Sequence, residues 1–95
     1  MKYESILKAA SELAAKRGFA NLTRLGVSMS ANVAAGTVNY HFKTMRQLRS
    51  AVLDHAIENR LFDVLAKAWA EGLLRNRKVR PSLIDAITAH ITSKQ

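Results

Sequence analysis

Pro81 is the only proline in this chain, and its other strong breakers are four glycines, Gly18, Gly26, Gly36 and Gly72. Relative to alanine, a helix interior loses about 3 kcal/mol to proline and about 1 kcal/mol to glycine. A chain rich in Ala, Leu and Arg and poor in breakers is therefore expected to be all-α. The 95 residues suffice for one compact unit.

The apolar spacing assigns the helices. Over residues 4–16, Ile6, Ala9, Ala10, Leu13 and Ala14 form one stripe at helical spacing. The basic pair Lys16-Arg17 followed by Gly18 is a helix C-terminus, and Phe19 and Leu22 are expected to pack back onto the core. A second helix spans residues 23–31, with Thr23 as N-cap and Leu25, Val27 and Met29 as apolar contacts. Asn32, which tolerates the left-handed conformation, marks a turn that Val33 plugs. A short third helix over residues 34–42 turns Val38 and Phe42 inward and leaves Thr37, Asn39, Tyr40 and His41 on its other faces. Thr44-Met45-Arg46-Gln47 fits a capping box opening the next helix. From there to Gly72 nothing breaks the pattern, so this stretch is a long fourth helix, or two. Pro81 and Ser82 start a short last helix, with Ser82 to Asp85 as a second capping box and Leu83, Ile84, Ile87 and Ile91 on its apolar side.

The fourth helical stretch has too many apolar residues for one face. Ile57, Leu61, Val64 and Ala68 form one row, and Phe62, Leu65, Trp69 and Leu73 form another. Two rows imply two contacts, one with the chain's own core and one with a second subunit, so these eight residues are the expected homodimer interface. The chain divides at about residue 52, with a dimerisation segment over residues 53–95 joined to the first part in the same compact unit.

Charge is unevenly placed. The net charge is +8, and the pI is near 10.5. Residues 13–53 contain no Asp or Glu but hold Lys16, Arg17, Arg24, Lys43, Arg46 and Arg49. Ordinary surfaces mix both signs, so a stretch of this kind points to a polyanion, with a phosphate backbone as the usual one. A second basic group, Arg75, Arg77, Lys78 and Arg80, suits a phosphate grip or a solvated loop equally well.

Several classes are excluded. Without cysteine there are no disulfides and no thiolate metal sites. His41, His55 and His90 lack metal-ligand spacing, and Ser28, Ser30 and Ser50 have no His and acid arrangement for a nucleophile. No cofactor, no metal and no enzymatic activity are expected. No apolar run reaches the roughly 20 residues of a membrane helix, and the charged N-terminus does not read as a signal peptide, so a cytoplasmic protein without membrane contact is expected.

Two short helices joined by a tight turn and braced by a preceding helix make a helix-turn-helix over residues 1–52. Its second helix is acid-free and begins with small residues, Ala34-Ala35-Gly36-Thr37, that let the backbone approach DNA. Thr37 suits a thymine methyl or a phosphate, Asn39 an adenine or a phosphate, and Tyr40 and His41 suit phosphates or base edges. The string ILKAASELAAKRGF followed by LTRLGVSMSANVAAGTVNYHFKTMRQL resembles the DNA-binding domain of the TetR family of bacterial repressors over residues 6–52. It shares a first helix ending in a basic residue, Gly and an aromatic, then Thr23 opening the second helix. Gly36-Thr37, Asn39-Tyr40-His41-Phe42, and Thr44 with Leu48 complete the likeness.

The resemblance implies phosphate contacts from Thr23, Tyr40, His41 and Thr44, and base or groove contacts from Ala35, Gly36, Thr37 and Asn39. Arg24 and Lys43 would attract the backbone. The chain departs from the family pattern at Asn32 in place of the turn glycine, at Ala34-Ala35 in place of Ser-Lys, and at Met45 in place of lysine, for which Lys43 and Arg46 would compensate. The stretch beyond the fourth helix is too short for the family's usual ligand-binding domain, so no small-molecule ligand is expected. The resulting expectation is a dimeric repressor on double-stranded DNA with a pseudo-palindromic operator. The residues alone leave a second reading open, a small interaction module or inhibitor that docks on an acidic protein.

Overall fold

The computed structural model describes residues 2–75 and 77–93. Six α-helices lie within them, in the order α1 (Lys2–Arg17), α2 (Arg24–Ala31), α3 (Ala35–His41), α4 (Met45–Asn59), α5 (Phe62–Ala70) and α6 (Pro81–Ser93). A 3₁₀ turn, Phe19–Asn21, links α1 to α2. There is no strand among the described residues, and none of the helices is long and apolar enough to cross a membrane.

The central element is α1, which packs against α2, α3, α4 and α5, while α6 packs on α5. Its stripe works as its spacing requires. Ile6, Ala9, Ala10 and Ala14 are buried and Leu13 is half-buried. Ser11 is buried too, with its hydroxyl donating to the Leu7 carbonyl at 2.8 Å, the usual way a helical serine is satisfied away from water. One continuous cluster of buried side chains runs from Ile6 through Phe19, Val38, Leu48 and Leu65 to Ile87, so α5 and α6 close the same core that α1 to α4 begin.

Local chemistry sets most helix ends. Asn32 is left-handed at φ 58°, ψ 47°, and the Val33 amide donates to the Ser28 carbonyl at 3.0 Å. With the Asn32 amide on the Met29 carbonyl, this is a Schellman ending that seats Val33 against the core. Gly72 at φ 74° ends α5 in the same way, with the Leu73 amide on Ala68. The Thr44 hydroxyl accepts from the Gln47 amide at 3.1 Å, and the Gln47 side chain accepts from the Lys43 amide at 2.9 Å, one residue earlier than a standard capping box.

The long fourth helix does not form. The chain breaks at Arg60, which is left-handed at φ 52° although it is not glycine. The Leu61 amide then closes on the Ala56 carbonyl at 2.9 Å. This break swings α5 across α1 and buries Val64, Leu65 and Ala68 completely or nearly so. That burial outweighs the roughly 1–2 kcal/mol that a side-chain-bearing residue loses in the left-handed region. The three residues therefore belong to the subunit's own core and not to a contact between subunits. Ile57, Leu61 and Phe62 are half-buried and pack against the same core, which leaves Trp69 and Leu73 as the exposed members of the expected interface.

Two further expectations are corrected. Leu25 and Met29 are 64% and 73% exposed, while Val27 is fully buried. Positions two apart lie about 200° apart around a helix, so when Val27 faces in, its two neighbours must face out. Ser82 does not cap α6. The amides of Leu83 and Ile84 both donate to the Arg80 carbonyl, so Pro81 occupies the first turn, where its missing N–H costs nothing.

Candidate nucleic-acid interface

The second and third helices form the helix-turn-helix, and α3 stands at the surface. Val38 and the following Phe42 anchor it in the core, and Ala35, Gly36, Asn39 and Tyr40 are exposed. Thr37 and His41 are half-buried. No carboxylate lies on α2, on α3 or in the first turn of α4, so the field over this face has one sign.

Gly36 has no structural reason within the chain. A Cβ built on it would meet nothing within 4 Å, and it costs the helix about 1 kcal/mol relative to alanine. The space it leaves opens outward, where a groove wall or phosphate would approach.

Two threonines cap the helices on either side of α3. Thr23 Oγ1 accepts from the Gly26 amide at 3.0 Å, and Thr44 Oγ1 accepts from the Gln47 amide. A hydroxyl that accepts in this way still has its own O–H to donate to an anion. Both threonines are exposed. Arg24 links them, because its Nη2 donates to the Lys43 carbonyl at 3.4 Å and so joins the start of α2 to the start of α4. The Arg24 Nε–H is buried without a protein partner.

Aromatic contacts fix the end of α3. The Tyr3 ring stacks on Phe42 at 5.2 Å and meets the His41 ring edge-on at 5.7 Å, and His41 in turn meets Tyr40 edge-on at 5.1 Å. Tyr40 is 74% exposed, and Lys43 Nζ lies 5.9 Å from its ring centre. Such a row limits the rotamers of Tyr40 and His41 before any ligand arrives. Tyr3 is a positioning residue that the motif reading missed. Its signal is its place one turn before Leu7 on the buried side of α1.

The basic groups divide. Lys43 and Arg46 are exposed beside Thr44. Arg46 and Arg49 share a groove along α4 with Ser50 and Arg77. Arg77 is held there by an ion pair to Asp54 and a 2.7 Å hydrogen bond to Ser50, so this member of the second basic cluster is tied to α4, whereas Arg75, Lys78 and Arg80 are exposed. Among the described residues no group of His, Asp and Glu is arranged to hold a metal ion.

A short polar helix anchored by two apolar side chains, a left-handed turn before it and capped helix starts on both sides define a helix-turn-helix DNA-binding domain. Residues 6–52, about half of the chain, match the family model described as bacterial regulatory proteins, tetR family. This segment is the N-terminal helix-turn-helix domain of the TetR family, a family of DNA-binding transcriptional regulators. No curated protein and no solved structure matches the chain.

Proposed function

We propose that this protein is a dimeric, cytoplasmic transcriptional repressor that places one α3 helix per subunit in the major groove of an inverted-repeat operator. The observation that carries the reading is α3 itself, exposed at Ala35, Gly36, Asn39 and Tyr40 and flanked by the capped threonines Thr23 and Thr44. Thr23, Thr44, Tyr40, His41, Arg24, Lys43 and Arg46 serve the phosphates. Ala35, Gly36, Thr37 and Asn39 meet the groove. No small-molecule inducer enters this reading.

The dimer is supported by Trp69, 45% exposed, which stands beside the half-buried Ile84 on the side formed by the end of α5 and the start of α6, whereas Leu73 lines the α4 groove with Arg46, Arg49 and Arg77. Selection of bound duplexes from a random library tests both parts. The expected result is a two-fold symmetric consensus with half-sites about one helical turn apart. A consensus without symmetry would remove the dimer, and recovery of no preferred sequence would remove the regulator. Trp69→Glu should yield monomers in sedimentation while leaving helicity intact.

A further inference from the structure

We propose that Glu71, outside the helix-turn-helix segment, is a positioning residue for DNA binding. Glu71 follows α5 directly, and its carboxylate reaches back to the end of α1. There Oε2 accepts from the Phe19 amide and Oε1 from the Ala20 amide, each at 2.8 Å. These amides open the 3₁₀ turn and have no partner in α1 to take them. A carboxylate that accepts two backbone N–H groups makes charge-assisted bonds, about twice as strong as neutral ones.

The turn it holds is the entry to the DNA-binding face. Phe19, its first residue, and Leu22, just after it, are buried, and Thr23 and Arg24 follow. Fixing Phe19 and Ala20 therefore fixes where α2 starts, and with it the Thr23 hydroxyl and the Arg24 bridge to Lys43. Gly18 is matched to this contact. Its φ is +87°, and a Cβ on it would lie 3.0 Å from Glu71 Oε2. A side chain at position 18 would be strained at this φ and would crowd the carboxylate by a few tenths of an ångström.

This inference rests on the DNA-binding reading, and its test separates the two. The duplex selected by the wild-type protein serves as probe, and affinity is read by fluorescence anisotropy well below each variant's unfolding midpoint. Glu71→Ala should bind about tenfold more weakly, or ~1.4 kcal/mol. Its amides at Phe19 and Ala20 should exchange faster while the interior of α1 stays protected. Glu71→Gln keeps the reach but offers one acceptor, with its NH₂ facing the other amide, and should lose about threefold. A purely structural Glu71 would lower the unfolding midpoint and leave the affinity of the folded protein alone. A folded Glu71→Ala that binds within about twofold of wild type overturns the proposal while the regulator reading stands. Should Glu71→Ala fail to fold, wild-type affinity in Glu71→Gln overturns it equally. If the wild-type protein itself selects no duplex, the regulator reading fails, and the proposal falls with it.

Discussion

The stretch from α2 to the first turn of α4 and the stretch from α5 to α6 are both helical, yet they use their side chains in opposite ways. In the first, the side-chain hydrogen bonds are mostly local caps, and the outward residues are polar or basic. Its apolar residues Leu25 and Met29 are exposed as well. In the second, apolar rows are drawn into the common core, and polar side chains reach far along the chain. Glu71 binds Phe19 and Ala20, Arg77 binds Asp54 and Ser50, and His90 pairs with Asp63. The first stretch is a face held ready for a partner, and the second is the brace that holds it.

The largest effect that would break this contrast lies in the brace. Leu65 is fully buried in α5, so Leu65→Ala should cost about 2–5 kcal/mol through lost transfer energy and a residual cavity. Met29→Ala on the face should change stability by no more than about 0.5 kcal/mol. Chemical denaturation of both variants decides the matter. Similar losses in the two would mean that α2 buries more than its exposure indicates.

The next effect lies on the face and should spare stability altogether. Asn39→Ala should weaken specific binding by about 1–3 kcal/mol, and Tyr40→Ala should weaken binding on all duplexes, each with an unchanged unfolding midpoint. Arg46→Ala should weaken binding on all duplexes alike and lower the salt slope by about one. A midpoint that falls in step with affinity would show that the row Tyr3, Phe42, His41 and Tyr40 supports the fold more than it serves DNA.

The contrast also governs how much could be read before the structure. The face was legible because each part has a local cause. Thr23 and Thr44 cap helices from within three residues, Asn32 is a residue type suited to the left-handed turn, and Val38 and Phe42 sit one turn apart. The brace was less legible because its causes are distant. Nothing near Glu71 announces that it will meet Phe19, and the two apolar rows of residues 57–73 suggest a partner chain when the helices that cover α5 are α1, α4 and α6 of the same chain. The error over Leu25 and Met29 differs in kind. Alternation by two suits a strand, and on a helix it places every other residue on the far side.

A smaller effect tests the strap from the second basic cluster. Arg77 and Asp54 form a partly exposed pair, with side chains 29% and 57% accessible. Pairs of this sort contribute about 0.2–1 kcal/mol, and less as salt rises. Arg77→Ala should therefore cost at most about 1 kcal/mol, in part through the lost bond to Ser50, and the loss should shrink in high salt. An undiminished loss would assign the strap to packing rather than charge.

The smallest expected effect is also a gain, and it tests the break that creates the brace. Arg60 is held left-handed, where a Cβ is penalised, while its guanidinium lies 5.9 Å over the Phe62 ring. Glycine at this position removes the penalty of about 1–2 kcal/mol but adds about 0.4–1 kcal/mol of unfolded-state entropy. It also gives up the ring contact, about 0.5 kcal/mol at an exposed site. The balance favours Arg60→Gly by a few tenths of a kcal/mol, read as a higher denaturant midpoint with an unchanged slope. Asn32 lies in the same region of backbone space without a ring beneath it, so Asn32→Gly is the matched control from the face. If Arg60→Gly lowered the midpoint while Asn32→Gly did not, the contact with Phe62, and not the left-handed backbone alone, would be what holds α5 in its turn across α1.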